Sequence, residues 1–524
     1  MQGFFVAGPF DDGDPVTGHY YEMASDDPAR PQVWGYTHAL SYAPGETLRL
    51  HAMSSAPSAR LIVQRDGLHP QTMLETTIAT RFAPTPADCS VTGCGWPVAF
   101  ETVIPQDWPT GVYAVTLAVE GHESRGMFVL KPAQPTAKLA IVLATGTWCA
   151  YNDWGGSNHY QGLTGASGQD FAGEVSSLRP WAKGFVRWPE DAPRIPHASP
   201  RLTRPRYPHM DYARANGISK KYASSGWAAF ERPFVLWCEA QGIALDYYTQ
   251  HDLHCAPGCL DGHPRAVIVG HDEYWTWEMR DHLDAWLDRG GQLARFGGNF
   301  FWQTRLSADL TTQTCYKTRA EAEDPLGATD RLTSYWDHPQ AGRPAVATMG
   351  LTGSMGVYAG WSRCAAHGAG GFTLYRPEHW SLKGTGLGYG DVLGVASKIF
   401  GYEVDGIDYE TRQGLPYPVD PALQGELTIV ALSLATTLAH STGPEDEDPF
   451  IGSLDAEEVA LTKYGRITPE TLGLASRGNG CIVEYRRGRG AVLNAGSCEW
   501  VAGLIARDPP VEQVTRNVLL GAWG

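Results

Sequence analysis

Residues 266–296 constrain the fold more than any other stretch, because they read as strand, helix and strand with short joints. Ala266-Val267-Ile268-Val269-Gly270 has the apolar continuity of a strand buried on both faces. Thr276 can cap a helix, and Glu278 puts a negative charge in its first turn, where the macrodipole favours it. Met279, Leu283, Trp286 and Leu287 recur at helical spacing, and Gly290-Gly291 stops the repeat. Gln292 to Phe296 then returns as a strand. Such a unit predicts a parallel, three-layer α/β arrangement. Leu139 to Ala144, a helix over Phe234 to Gly242 and a strand over Ala244 to Tyr248 extend the same pattern.

The first third reads differently. Leu48 to Ala52, Leu61 to Val63, Val112 to Val119 and Met127 to Leu130 are short strand candidates between turns. At 524 residues the chain is too long for one core. The expected division is a β-sandwich-like domain over 1–135 and an α/β domain over 136–524, with Pro132 to Thr136 as linker. Residues 351–483 are rich in glycine and read as a β-rich, loop-rich insertion of antiparallel strands. The acidic run at 443–449 reads as a solvated loop.

With 57 acidic and 41 basic residues the formal net charge is −16, and no long basic run is present. This balance argues against nucleic acid or an anionic membrane as a partner. Met1 to Phe5 lacks the basic and apolar segments of an export signal, and no apolar run is long enough to span a bilayer. Ten cysteines in so long a chain do not make a disulfide framework. The expectation is a cytoplasmic enzyme acting on a small molecule.

Ligands of open α/β sheets bind beyond the carboxyl ends of the strands. Three such ends carry polar and aromatic residues bracketed by glycine. They are Thr145 to Gly156, His271-Asp272-Glu273-Tyr274-Trp275, and Gly297-Gly298-Asn299-Phe300-Phe301-Trp302. His271 and Glu273 would leave one face of an extended chain while Asp272 points away. A histidine and a carboxylate together suit a metal site or an acid–base pair.

These motifs, in this order, resemble the N,N-dimethylformamidase large-subunit family. Gly146-Thr147-Trp148 with Ala150-Tyr151-Asn152 and Trp154-Gly155-Gly156 is similar to its first catalytic-domain motif, Gly270 to Trp275 to its second, and Gly290 to Trp302 to its third. Further matches lie at Arg204-Pro205-x-Tyr207, Glu231 to Trp237, His379-Trp380, Gly401 to Gly406, and Asn494 to Ser497 with Trp500. The resemblance implies a β-rich module followed by a glutamine-amidotransferase-like α/β domain. It also implies hydrolysis of a small N-alkylated amide by one iron held by two tyrosinates and a glutamate.

Residue by residue, it puts Tyr151, Tyr207 and Glu273 on that iron, with Tyr212 the alternative to Tyr207. Glu403 becomes general base, and His271 and Asn299 orient substrate or oxyanion. Anionic oxygen donors favour a hard cation, so Fe(III) suits the set. For assembly it implies an oligomer, which can include a small accessory subunit.

On the residues alone, plainer readings stand beside these. Tyr151 and Tyr207 serve equally as buried tyrosines, Asn299 as a turn residue and Glu403 as the brace of a hairpin. His251, Asp252, His254, Cys255 and Cys259 offer zinc ligands. Cys149 offers a nucleophile, though without the flanking glycines of a nucleophile elbow. A non-catalytic binding protein with an aromatic, acidic surface is the remaining alternative.

Overall fold

The computed structural model describes residues 4–8, 11–14, 18–164, 170–194, 208–356, 370–401, 403–436, 460–461, 463–475 and 477–523. The protein is mixed α/β and divides into two compact units. One comprises Met1–Pro193, His209–Ala256 and Thr304–Tyr316, and the other Arg194–Pro208, Pro257–Gln303 and Lys317–Gly524.

In the first unit, Ser41–Tyr42, His122–Leu130, Gly111–Val119, Ser58–Arg65 and Gln71–Ala79 form a five-stranded sheet in that order. Val33–Thr37, Thr47–Ser54 and Val98–Val103 form a three-stranded antiparallel one. Side chains alternate across a strand, and the inward set of both sheets meets in one apolar cluster. Leu48, Leu50 and Ala52 come from one sheet, and Leu61, Val63, Val115 and Leu117 from the other. The same unit holds the parallel pair Leu139–Leu143 and Leu245–Thr249, buried along its whole length. The helix expected over 234–242 runs Glu231–Ala240.

The second unit contains the strand–helix–strand element. The strands are Arg265–His271 and Gln292–Gly298, and the helix is Trp277–Asp288. Thr276 caps it, its hydroxyl accepting the Met279 amide at 3.1 Å. The two strands pair in parallel with His271 opposite Gly298, so their carboxyl ends finish level. Gly490–Ala495 adds in parallel to the Gln292–Gly298 strand. Arg477–Arg487, Leu427–Thr436, Phe372–Leu374 and Val392–Leu393 then follow, each antiparallel to its neighbour.

The sheet therefore changes from parallel to antiparallel pairing at Gly490–Ala495. Tyr409–Arg412 and Leu415–Pro418 make a separate antiparallel hairpin. The acidic run at 443–449 lies outside the described residues. Among the described residues no helix is long and apolar enough to cross a membrane.

Candidate active site

In the second unit, two neighbouring strand ends and two distant segments converge. Gly270 has φ +78°, a left-handed value that glycine adopts without a steric penalty, and the chain next delivers His271, Asp272 and Glu273. On the neighbouring strand Gly298 has no room for a side chain. A Cβ there would lie 2.5 Å from the carbonyl oxygen of Glu403 and 2.8 Å from the amide of Cys498. Glycine at 298 thus allows the segments carrying Glu403 and Cys498 to close on the strand end. Asn299 follows with φ +62°, a conformation asparagine tolerates better than most residues.

His271, Glu273, Asn299 and Glu403 meet there. Nε2 of His271 lies 2.6 Å from Oε2 of Glu403 and 3.3 Å from Oε2 of Glu273. Nδ2 of Asn299 is 3.4 Å from the same imidazole nitrogen. Trp302 donates its indole N–H to Oε1 of Glu273 at 2.7 Å. All four polar side chains are buried. Burial opposes charge on His271, yet the carboxylates of Glu403 and Glu273 overcome it and raise its pKa well above the ordinary value. We read His271 and Glu403 as a pair that holds one proton between them.

Asp272 turns to the other side of the chain, as extended geometry requires. It accepts Nε of Arg295 at 2.9 Å, and Arg295 also donates to Asp405 at 2.5 Å and to Asn494 at 3.2 Å. The other oxygen of Asp405 accepts the backbone amide of Asn299 at 2.6 Å. Two carboxylates bridged by Arg295 therefore set the backbone positions of all four converging side chains. Asp272 lies between His271 and Glu273, while Asp405 follows Glu403 by two residues and grips Asn299.

Four carboxylates, those of Asp272, Glu273, Glu403 and Asp405, come together here with one guanidinium and one imidazole, all less than 4% exposed. Imidazole and carboxylate groups converging at one point are donors of a kind that can hold a cation.

Tyr151 ends the helix Thr145–Tyr151 in the first unit, buried, with its ring centroid 4.4 Å from that of Tyr160. The ammonium of Lys221 lies 5.5 Å over the Tyr151 ring. Tyr207 lies outside the described residues. Tyr212 donates its hydroxyl to Asp191 at 2.6 Å, and partial burial with that carboxylate pushes its phenol up to about 12.

The rival readings lose ground on geometry. His251 pairs through Nδ1 with the Thr145 hydroxyl at 2.7 Å. Asp252 caps its own helix by accepting the Thr249 amide and hydroxyl. Among the described residues the one group of three such side chains close enough to hold an ion is His271, Glu403 and Cys498. Cys149 is buried, which pushes its thiol up to about 12, the opposite of an activated nucleophile. The sequence gives no role to Arg295 or Cys498, and Asp405 enters only within the Gly401 to Gly406 match. A readable signal exists only for Arg295, a charge inside an apolar strand that must find a partner.

A family model described as N,N-dimethylformamidase beta subunit-like, C-terminal, matches residues 63–513. No curated protein matches the chain.

Proposed function

Because this chain belongs to the N,N-dimethylformamidase beta subunit-like family, we propose that it is an iron-dependent hydrolase of the C–N bond of a small N-alkylated amide. The observation that carries this reading is the buried cluster of His271, Glu273, Asn299 and Glu403. Tyr151, Tyr207 and Glu273 would hold the iron, oxygen donors of the kind a hard cation selects. When bound, Fe(III) supplies Lewis acidity toward the amide carbonyl and the attacking water.

The protein's own groups supply the rest. Glu403 takes a proton from the attacking water, and His271, 2.6 Å away, gives the proton it already holds to the departing amine and regains one from Glu403. The Asn299 side-chain amide donates to the oxygen on which negative charge develops. Trp302, through its bond to Oε1 of Glu273, fixes the rotation of that carboxylate and leaves Oε2 on the His271 side. Water adds across the C–N bond, so the products are a carboxylate and an amine.

The two sheets that share one core support a β-sandwich-like domain over 1–135. The strand–helix–strand unit supports an amidotransferase-like three-layer domain over 136–524. Nine free cysteines among the described residues agree with a cytoplasmic enzyme. An oligomer, with a small accessory subunit where one is required, completes the reading.

The test is to purify the protein without chelator and measure its metal content beside its visible spectrum and its turnover of small N-alkyl amides. We expect about one iron per chain and a tyrosinate-to-iron band that disappears in Tyr151→Phe. A colourless protein that takes up no iron on reconstitution would overturn the proposal.

A further inference from the structure

We infer that His271, Glu403 and Cys498 form a second cation site, suited to a thiophilic divalent ion such as Zn²⁺. Its occupation would disable the proton-transfer pair. The binding stands on geometry alone, and only the inhibitory consequence rests on the hydrolase reading above.

One donor atom from each residue lies within 4.8 Å of the other two. The three side chains are almost fully buried. Oε2 of Glu403 lies 2.6 Å from His271 Nε2, a charge contact that an ion can replace. Backbone pairing sets the spacing without any ion. Cys498 donates its amide to the carbonyl of Glu403 at 3.0 Å, and Val404 bridges Ser497 beside it. Gly298 packs under both, so that a Cβ there would lie 3.1 Å from Sγ of Cys498.

The chemistry separates this site from the iron site. Zinc binds thiolate, imidazole and carboxylate at about 2.0–2.3 Å, usually with four ligands. Donors at the present separation close on such an ion with small side-chain adjustments and leave one position open. A hard trivalent ion prefers all-oxygen donors. Binding converts the Cys498 thiol to thiolate, with the proton released to solvent. Two negative ligands, Glu403 and the Cys498 thiolate, then neutralise the divalent ion. Held in this way, Glu403 cannot accept a proton from water and His271 cannot pass one on.

The experiment uses the intact chain, titrated with Co²⁺ and with Zn²⁺, and needs neither iron nor amide. Wild type should show a thiolate-to-cobalt charge-transfer band that saturates at one equivalent and is displaced by zinc. Cys498→Ala should lose the band and retain zinc at least tenfold more weakly through gel filtration, while Tyr151→Phe should keep both properties. Glu403→Gln should also weaken zinc at least tenfold, which decides the matter if Cys498→Ala does not fold. Absence of the thiolate band in wild type, or unchanged zinc affinity in Glu403→Gln, overturns the site. Inhibition of amide turnover by zinc is scored separately. An enzyme that binds zinc here and turns over no amide would refute the hydrolase reading and leave the site standing.

Discussion

Arg295 donates to the carboxylate of Asp405 at 2.5 Å across a sequence gap of 110 residues. Its other edge holds Asp272, so one side chain ties the His271–Glu273 turn to the Glu403 segment. Removing it would leave two buried carboxylates facing each other. Arg295→Met should therefore cost about 3–5 kcal/mol of stability. Arg295→Lys, which keeps the charge but lacks the fork that spans two carboxylates, should fall between wild type and Arg295→Met. Urea unfolding of the three proteins checks this, and a Lys variant as stable as wild type would show that charge alone suffices.

Asn299 combines a left-handed backbone with a side chain in the polar cluster, and two substitutions separate these roles. Asn299→Gly keeps the backbone free of strain and should remain within about 0.5 kcal/mol of wild type while losing turnover. Asn299→Ala should lose turnover to the same extent and about 1 kcal/mol of stability besides. If both variants retained amide turnover, the side chain would have no part in the chemistry.

Glu403→Gln should lower kcat by about 10²–10⁴. Its thermal midpoint should stay close to that of wild type, because the amide keeps the shape of the carboxylate and can still bond to His271. Steady-state kinetics beside a melting curve tests this directly. A variant that unfolds instead would assign Glu403 to structure rather than to proton transfer.

Glu22 gives a pH prediction independent of the site. It is buried, accepts the Lys183 amide at 2.8 Å, and burial pushes its carboxyl up to about 7. The folded state therefore binds this proton more tightly than the unfolded state, where the group titrates near ~4.3. The resulting stabilisation is full below about pH 4 and is lost as pH rises through about 7. Glu22→Gln, which cannot ionise, should gain about 1–3 kcal/mol relative to wild type between acid and pH 8. Denaturant titrations at the two pH values decide the point. An equal difference at both would mean that Glu22 does not change protonation on folding.

Much of the centre of the fold is legible in the sequence, and for a physical reason. Strands buried on both faces are continuous apolar runs, as in Ala266 to Gly270. A capped helix between two of them leaves few topologies, so the positions of His271, Glu273 and Asn299 at adjacent strand ends follow from local pattern. Glu403 does not follow in this way. It reaches the cluster through a segment held by backbone bonds to residues 496–499, and no periodicity encodes that pairing; only the family resemblance singled it out.

Cys498 is hidden for the same reason, and so are the partners of Arg295, which lie 23 and 110 residues away. Arg477–Arg487 carries Gly478 and Gly480, which dilute its β pattern, and the apolar run Leu427–Thr436 has a length that a buried helix and a buried strand share.

The junction at Gly490–Ala495 bears on how this polypeptide is made. Arg295 contacts Asn494, 199 residues further along the chain, and Cys498 lies beyond that strand. A chain growing on the ribosome therefore completes the 265–298 unit long before its lateral neighbour exists. Until then the Gln292–Gly298 strand offers an open edge that invites pairing with other nascent chains. Because Glu403 is braced by residues 496–499, the His271–Glu403 cluster assembles only once that late segment has docked. A stalled translation product therefore carries the aggregation hazard without the completed cluster.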